Sequence, residues 1–179
     1  MLILILRGTP TLYYGDEIEM RDVHFSSAAA QDPWEKNVPG LGRDPARTPM
    51  PWDAGLHAGF TTGAPWLPVA KDFPRVNVAA QRSDTSSLLH LYRRLLSLRA
   101  AEPALQTGRY APVMTDERVL AYTREQFLAV LNFASEPVTV NHNEVRGRIT
   151  LSTGLDRENE AVSGALRLRG DEGVIISIH

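Results

Sequence analysis

The sequence predicts an α+β chain in two parts, a helix-and-loop half followed by an antiparallel all-β sandwich. Leu88, Leu91, Tyr92, Leu95 and Leu98 recur at helical spacing, which lines them up on one face of a helix. From Gly108 onward the pattern changes to period two, in short runs separated by turn residues, as half-buried strands require. Between Arg21 and Phe73 there is no sustained period of either kind, and Gly, Pro and Asn are frequent. Structureless loops of that length are rare in compact domains and are usually functional.

Taken in order, Met1–Leu6 is apolar but too short for a membrane span. It lacks the basic flank and cleavage site of a signal peptide and reads as a cut-off helix or strand. Gly8–Thr9–Pro10 punctuates, and Thr11–Tyr14 is a short β-prone run. Gly15 permits a sharp exit from it. One helical turn is expected near Ser26–Ala30. Asn77–Ala101 is the clearest helix, with Ser83 or Asp84 able to cap its start, Arg93, Arg94 and Arg99 suited to its C-terminal dipole, and Glu102–Pro103 stopping it. Six strands follow: Val119–Thr123, Phe127–Phe133, Val138–Val140, Ile149–Leu151, Leu166–Leu168 and Val174–Ile178. Turns are expected at Thr115–Asp116–Glu117, Asn141–His142–Asn143 and Gly170–Asp171–Glu172.

At 179 residues the chain is one or two domains. A net charge of −2 supplies no field to attract nucleic acid or anionic lipid, so neither nucleic acid nor a membrane is an expected partner. Without cysteine there is no disulfide framework and no thiolate chemistry, which fits a reducing, cytoplasmic location. His24, His57, His90, His142 and His179 are scattered without ligand spacing, so no metal site is expected. No cofactor is implied, and Gly-rich phosphate loops are absent.

The stretch Gly40–Asp53, GLGRDPARTPMPWD, concentrates side chains that carry chemistry. Pro45, Pro49 and Pro51 oppose helix and strand, so Ala46–Pro51 should be a stiff, irregular loop. Arg43 and Arg47 lie four apart with Asp44 between them. One guanidinium can therefore bind a carboxylate while the other faces a polar ligand. The plainer reading is a surface ion pair beside a buried Trp52. Trp34, Phe60 and Trp66 either pin the long loop down or offer faces to a sugar.

Asp16 and Glu17 do not read as a catalytic pair, because neighbours on an extended chain point to opposite faces. Glu17 and Glu19 would share a face at about 6.5–7 Å, yet both would approach a sugar from one side. Backbone or arginine partners suit Asp16 and Glu17 better. A calcium site from Asp16, Glu17, Glu19 and Asp22 is a weaker alternative, since hard cations need more oxygens at tighter spacing.

Three segments in order, Gly8–Met20 (GTPTLYYGDEIEM), Gly42–Asp53 (GRDPARTPMPWD) and His57–Pro68 (HAGFTTGAPWLP), resemble the C-terminal part of the α-amylase family of retaining glycosidases. Within it they are closest to the oligo-1,6-glucosidase and α-glucosidase branch. The resemblance implies that Leu2–Leu6 is the tail of the helix before the eighth strand of a (β/α)8 barrel, and that Thr11–Tyr14 is that last strand. Asn77–Ala101 would be the eighth helix. The long loop would form one wall of the pocket entrance, and the strands an all-β C-terminal domain. Residues 1–106 would then be barrel and residues 107–179 the β-domain. A complete barrel needs ~250 residues, so the rest of it is an implied partner.

In the family the nucleophile, the acid/base and a third acid lie on strands four, five and seven. No residue here matches their motifs, so no catalytic residue is assigned and the chain alone is expected to be inactive. What the resemblance carries over is positioning of an α-glucoside oligosaccharide. Arg47 is the first candidate for the arginine at the closed end of the glucose pocket, paired with an aspartate outside this chain, and Arg43 is the second. Tyr14, Gly15, Asp16, Glu17 and Asp44 would support them. Pro51 stands where the oligo-1,6-glucosidase group usually has Gln, which leaves the linkage preference open. Two alternatives remain: a stand-alone, non-catalytic carbohydrate-binding or interaction module, and part of a family transferase or isomerase such as a trehalose-forming enzyme. An exposed leucine stripe on the eighth helix would make the chain prone to association.

Overall fold

The computed structural model describes residues 1–115 and 117–178. Its helices are α1 (Leu2–Ile5), α2 (Pro33–Asn37), α3 (Val78–Ser83), α4 (Leu88–Ala101) and α5 (Pro103–Gln106). Its strands are β1 (Tyr110–Thr115), β2 (Val119–Arg124), β3 (Phe127–Asn132), β4 (Val138–Ser152), β5 (Ala161–Leu168) and β6 (Gly173–Ser177). Contacts divide the chain into two compact units, Met1–Thr11 with Leu91–His179, and Leu12–His90. This grouping by packing puts the first eleven residues and most of α4 with the sheet, and it is a different matter from a family boundary near residue 106.

The first unit is a six-stranded antiparallel sheet in the order β1-β2-β3-β6-β4-β5. On one face Leu128, Val130, Ile149, Leu166, Leu168 and Ile176 belong to a single cluster, each at most 2% exposed. Every buried member of that cluster comes from a strand. A face with no helix over it can be that dry only if the sheet folds across itself, which is the small sandwich implied by the alternating pattern. The opposite face is buried as well. β3 is buried along its whole length, and Tyr122, Leu131, Leu151 and Ile175 are buried. Here the apolar faces of α1, α4 and α5 supply Leu4, Ile5, Leu91, Leu95 and Leu105, all buried.

Polar side chains fix the connections. Buried Asn132 donates to the carbonyls of Glu136 and Arg169 at 2.9 and 2.8 Å and accepts from the Ala134 amide, joining the turns that follow β3 and β5. Buried Glu172 takes Arg157 at 3.0 Å and Arg169 at 2.6 Å, and Arg169 reaches on to Asp156 with two short bonds.

In the second unit Ile18, Met50 and Val78 form a cluster, with Met20 and Leu89 against it, and Ala30, Ala58, Leu67 and Ala70 are buried as well. Around them run α2, α3 and short 3-10 turns at Asp16–Ile18, Ser27–Ala29, Asp44–Arg47 and Leu56–Gly59.

Several elements differ from the sequence expectation. Thr11–Tyr14 pairs with no strand among the described residues. A strand exists only through its ladder, and here the Tyr13 amide goes instead to the Asp16 carboxylate at 3.0 Å while Asp16 N–H returns to the Tyr13 carbonyl. Asp16–Ile18 is consequently a helical turn, so the extended geometry assumed for Glu17 and Glu19 does not arise. The helix expected over Asn77–Ala101 is two helices, because the Asp84–Ser87 run bonds locally. Asp84 Oδ1 accepts from the amide and hydroxyl of Ser86, and Ser87 Oγ donates to the Gln81 carbonyl and accepts from His90 N–H. Asn77, not Ser83 or Asp84, caps the first of them, accepting from Ala80 N–H at 2.8 Å.

Val138–Val140 and Ile149–Leu151 are the two ends of one strand, β4. The expected turn at Asn141–His142–Asn143 is absorbed into it as a register shift between Asn141 and Arg146. β1 and α2 were not foreseen. Asp116, in the first expected turn, and His179 lie outside the described residues. The leucine stripe is covered within the chain: Leu91 and Leu95 are buried, and Leu96, off the stripe, is the exposed leucine of α4.

The sandwich core makes a direct prediction. Leu128→Ala leaves a cavity at a site with no accessible surface and should lower unfolding stability by about 2–5 kcal/mol, read as a shift in the urea midpoint at constant slope.

Candidate substrate-pocket loop

Two buried aspartates organise the loop that contains Arg43 and Arg47. Asp44 Oδ2 accepts from the amides of Gln31 and Asp32 at 2.6 and 2.7 Å, and its Oδ1 takes Arg47 Nη2 at 3.2 Å. Asp32 caps α2 through Oδ1 and the Trp34 amide at 3.0 Å, with Pro33 at the first helical position, where a missing N–H costs nothing. Its Oδ2 accepts from the Arg43 amide at 3.0 Å and from Arg47 Nη2 at 2.6 Å. One guanidinium nitrogen thus bridges two carboxylates, each already held by two backbone amides. Asp32, so loaded, is held toward its ionised form. The amides of Arg43 and Trp34, with the guanidiniums of Arg47 and Arg43, hold the Asp32 carboxyl below its ordinary value of 3.8.

The prolines act as the sequence implied, with one amendment. Pro45 opens a 3-10 turn over Asp44–Arg47 instead of excluding all helical geometry, because proline fits the first turn of a helix. The Pro45 carbonyl also accepts from Val23 N–H at 3.0 Å. Arg47 is half-buried, and its Nε is buried without a partner among the described residues. Arg43 is exposed, 3.8 Å from Asp32 through Nε, beside a cleft of about 470 Å3 that Asp22, His24 and Glu35 also line. The ion pair is therefore buried on its acidic side, and Trp52 is 48% exposed, the reverse of a surface pair beside a buried tryptophan. Trp34, Phe60 and Trp66 are exposed too, so they do not pin the loop within this chain.

Tyr14 joins this group. Its hydroxyl donates to the Thr48 carbonyl at 2.7 Å. Burial and Tyr13 push the phenol pKa up while Arg47 pulls it down, and the Tyr13 and Tyr14 rings lie 5.2 Å apart. Asp16 and Glu17 instead serve the backbone of their own turn, Glu17 Oε2 accepting from Gly15 N–H at 2.9 Å. Gly15 has φ 92°, and a Cβ there would sit 2.7 Å from Met20 Cβ, so both conformation and space favour glycine. The described residues hold no cluster of acids and histidines able to bind a metal, and no helix among them is long and apolar enough to cross a membrane.

The residue that sequence reasoning missed is Asp32. Asp–Pro before a helical turn is a capping signal, so its place on α2 was legible. Its partnership with Arg47, fifteen residues on, was not.

Residues 1–108 match the model of the α-amylase catalytic domain. The chain belongs to the α-amylase family, and its sheet is the C-terminal all-β domain of such enzymes. It is 34% identical over 157 residues to the oligo-1,6-glucosidase of Parageobacillus thermoglucosidasius, an alignment covering 74% of this chain and 28% of the relative. It is 35% identical over 194 residues to the amino acid transporter heavy chain SLC3A1 of Rattus norvegicus, covering 98% of this chain and 27% of that one. Among solved structures it superposes on the trehalulose synthase MutB of Pseudomonas mesoacidophila MX-45 with a TM-score of 0.87 at 29% identity, over 99% of this chain and 37% of the synthase. The chain thus spans between about a quarter and a third of the curated relatives it matches.

The depressed Asp32 pKa gives a signed prediction. Its contribution to the loop is complete above about pH 4, the unfolded value, and is lost as pH falls through the lower folded value. The Asp32 carboxyl carbon followed by NMR should titrate with a midpoint below 3.8, and Arg47→Met should move that midpoint upward.

Proposed function

We propose that this chain is the C-terminal part of a retaining α-glucosidase of the oligo-1,6-glucosidase type, acting on terminal α-linked glucose of oligosaccharides. In this reading residues 1–106 complete a barrel and residues 107–179 form the domain after it, a division supported by the family match ending at residue 108. The observation that carries the reading is the Arg47–Asp32–Asp44 cluster on the GRDPARTPMPWD loop. Arg47 commits Nη2 to its two aspartates. With Nε buried, Nη1 is then the donor left for a sugar hydroxyl, orienting the ring without reacting. Arg43, more exposed, is placed to serve a second hydroxyl, and Tyr14, Gly15, Asp16, Glu17 and Asp44 hold the frame.

Hydrolysis with retention needs a nucleophile and an acid/base about 5–5.5 Å apart, and these are assigned to the part of the whole protein outside this chain. The exposed Trp34, Trp52, Phe60 and Trp66 support such a covering part, since exposed large aromatics call for a partner. The trehalulose synthase match keeps transfer to a second sugar within the same proposal. A second reading, a non-catalytic interaction part, is favoured by the transporter heavy chain, whose alignment covers nearly the whole chain.

The test is release of 4-nitrophenol from 4-nitrophenyl α-D-glucoside by the chain alone and mixed with the preceding portion of the P. thermoglucosidasius oligo-1,6-glucosidase. Activity is expected only in the mixture, and Arg47→Ala should raise KM there by about tenfold or more, the loss expected for a hydrogen bond from a charged donor. Turnover by the chain alone would overturn the placement of the carboxylates. A stable but silent mixture would favour the second reading.

A further inference from the structure

The first unit holds two buried arginines whose partners are carbonyls. Arg99 on α4 donates through Nη1 to Leu4 O at 3.0 Å, Leu6 O at 3.3 Å and Leu105 O at 2.6 Å, and through Nη2 to Gly8 O at 2.5 Å. Arg124 on β2 donates through Nη1 to Ile5 O at 2.6 Å and through Nε to Gly108 O at 3.3 Å. They are 9% and 1% exposed, and neither has an ion pair among the described residues. Two desolvated cations close enough to repel each other are costly to keep. Burial, Arg99 and Arg7 together push the Arg124 pKa down.

That cost has a return in backbone accounting. The last carbonyls of a helix have no intrahelical partner, and α1 ends at buried Leu4 and Ile5, with the Leu6 and Gly8 carbonyls following on a more exposed stretch. A planar fork of five N–H groups reaches more carbonyls over a wider arc than the three donors on a lysine's single nitrogen. We propose that Arg99 and Arg124 are positioning residues, a two-arginine clamp by which the helix layer and the β-sheet hold residues 4–8 in place. This goes beyond the proposed glucosidase reading and does not depend on it.

Amide hydrogen exchange on the 179-residue chain tests the clamp without any activity. In Arg124→Met and in Arg99→Lys, peptides covering residues 2–9 should exchange about ten- to a hundredfold faster, the loss expected for charged hydrogen bonds, while peptides of β3 and β6 keep their protection. Arg124→Lys, which keeps the charge but not the fork, should fall between wild type and Arg124→Met, and it decides the matter should the methionine variant not fold. Unchanged exchange in residues 2–9, or an equal acceleration in β3 and β6, would overturn the proposal.

Discussion

The need to satisfy backbone groups outside regular structure governs both units, and buried charged side chains meet much of it. In the loop unit Asp32 and Asp44 collect the amides of Gln31, Asp32, Trp34 and Arg43. In the sheet unit Arg99 and Arg124 collect the carbonyls of Leu4, Ile5, Leu6, Gly8, Leu105 and Gly108, while buried Glu172 takes the Arg169 amide. Carboxylates only accept and guanidiniums only donate, so the chemistry of each side chain follows from which backbone group was left over. Arg47 then has two anchored anions to sit on, and its direction is set by the backbone around it.

The same logic separates what the sequence made legible from what it hid. Period two revealed the sandwich because alternation is imposed by the sheet itself, and the Leu88–Leu98 stripe revealed α4 because 3.6-residue spacing is imposed by the helix. Thr11–Tyr14 has β propensity but no ladder among the described residues, because β propensity is a statement about a surface to pack on, and in this unit Asp16 takes the Tyr13 amide. The break between α3 and α4 was written in Ser83–Ser87, but polar residues there fit a helix surface as well as a local turn. The Arg43–Asp44–Arg47 cluster could be found as a motif. The role of Asp32 could not, because the 3-10 turn and α2 that bring it to Arg47 are set by hydrogen bonds across more than ten residues.

Family membership and local geometry speak to different parts of the chain. The matched catalytic-domain region ends at residue 108, while the packing groups Met1–Thr11 with α4 and the sheet. Met1–Thr11, inside the matched region, thus has its packing set in part by residues beyond that region.

The strand order carries a consequence for how the sheet closes. β6 lies between β3 and β4, with Val130 opposite Val174 and Ser152 opposite Val174 on its other side. β1–β3 and β4–β5 share no ladder of their own and are joined only through β6, so the pairing of that strand closes the sheet. An unpaired β3 or β4 edge is a template for another chain, so weakening β6 would expose both to strand exchange between copies.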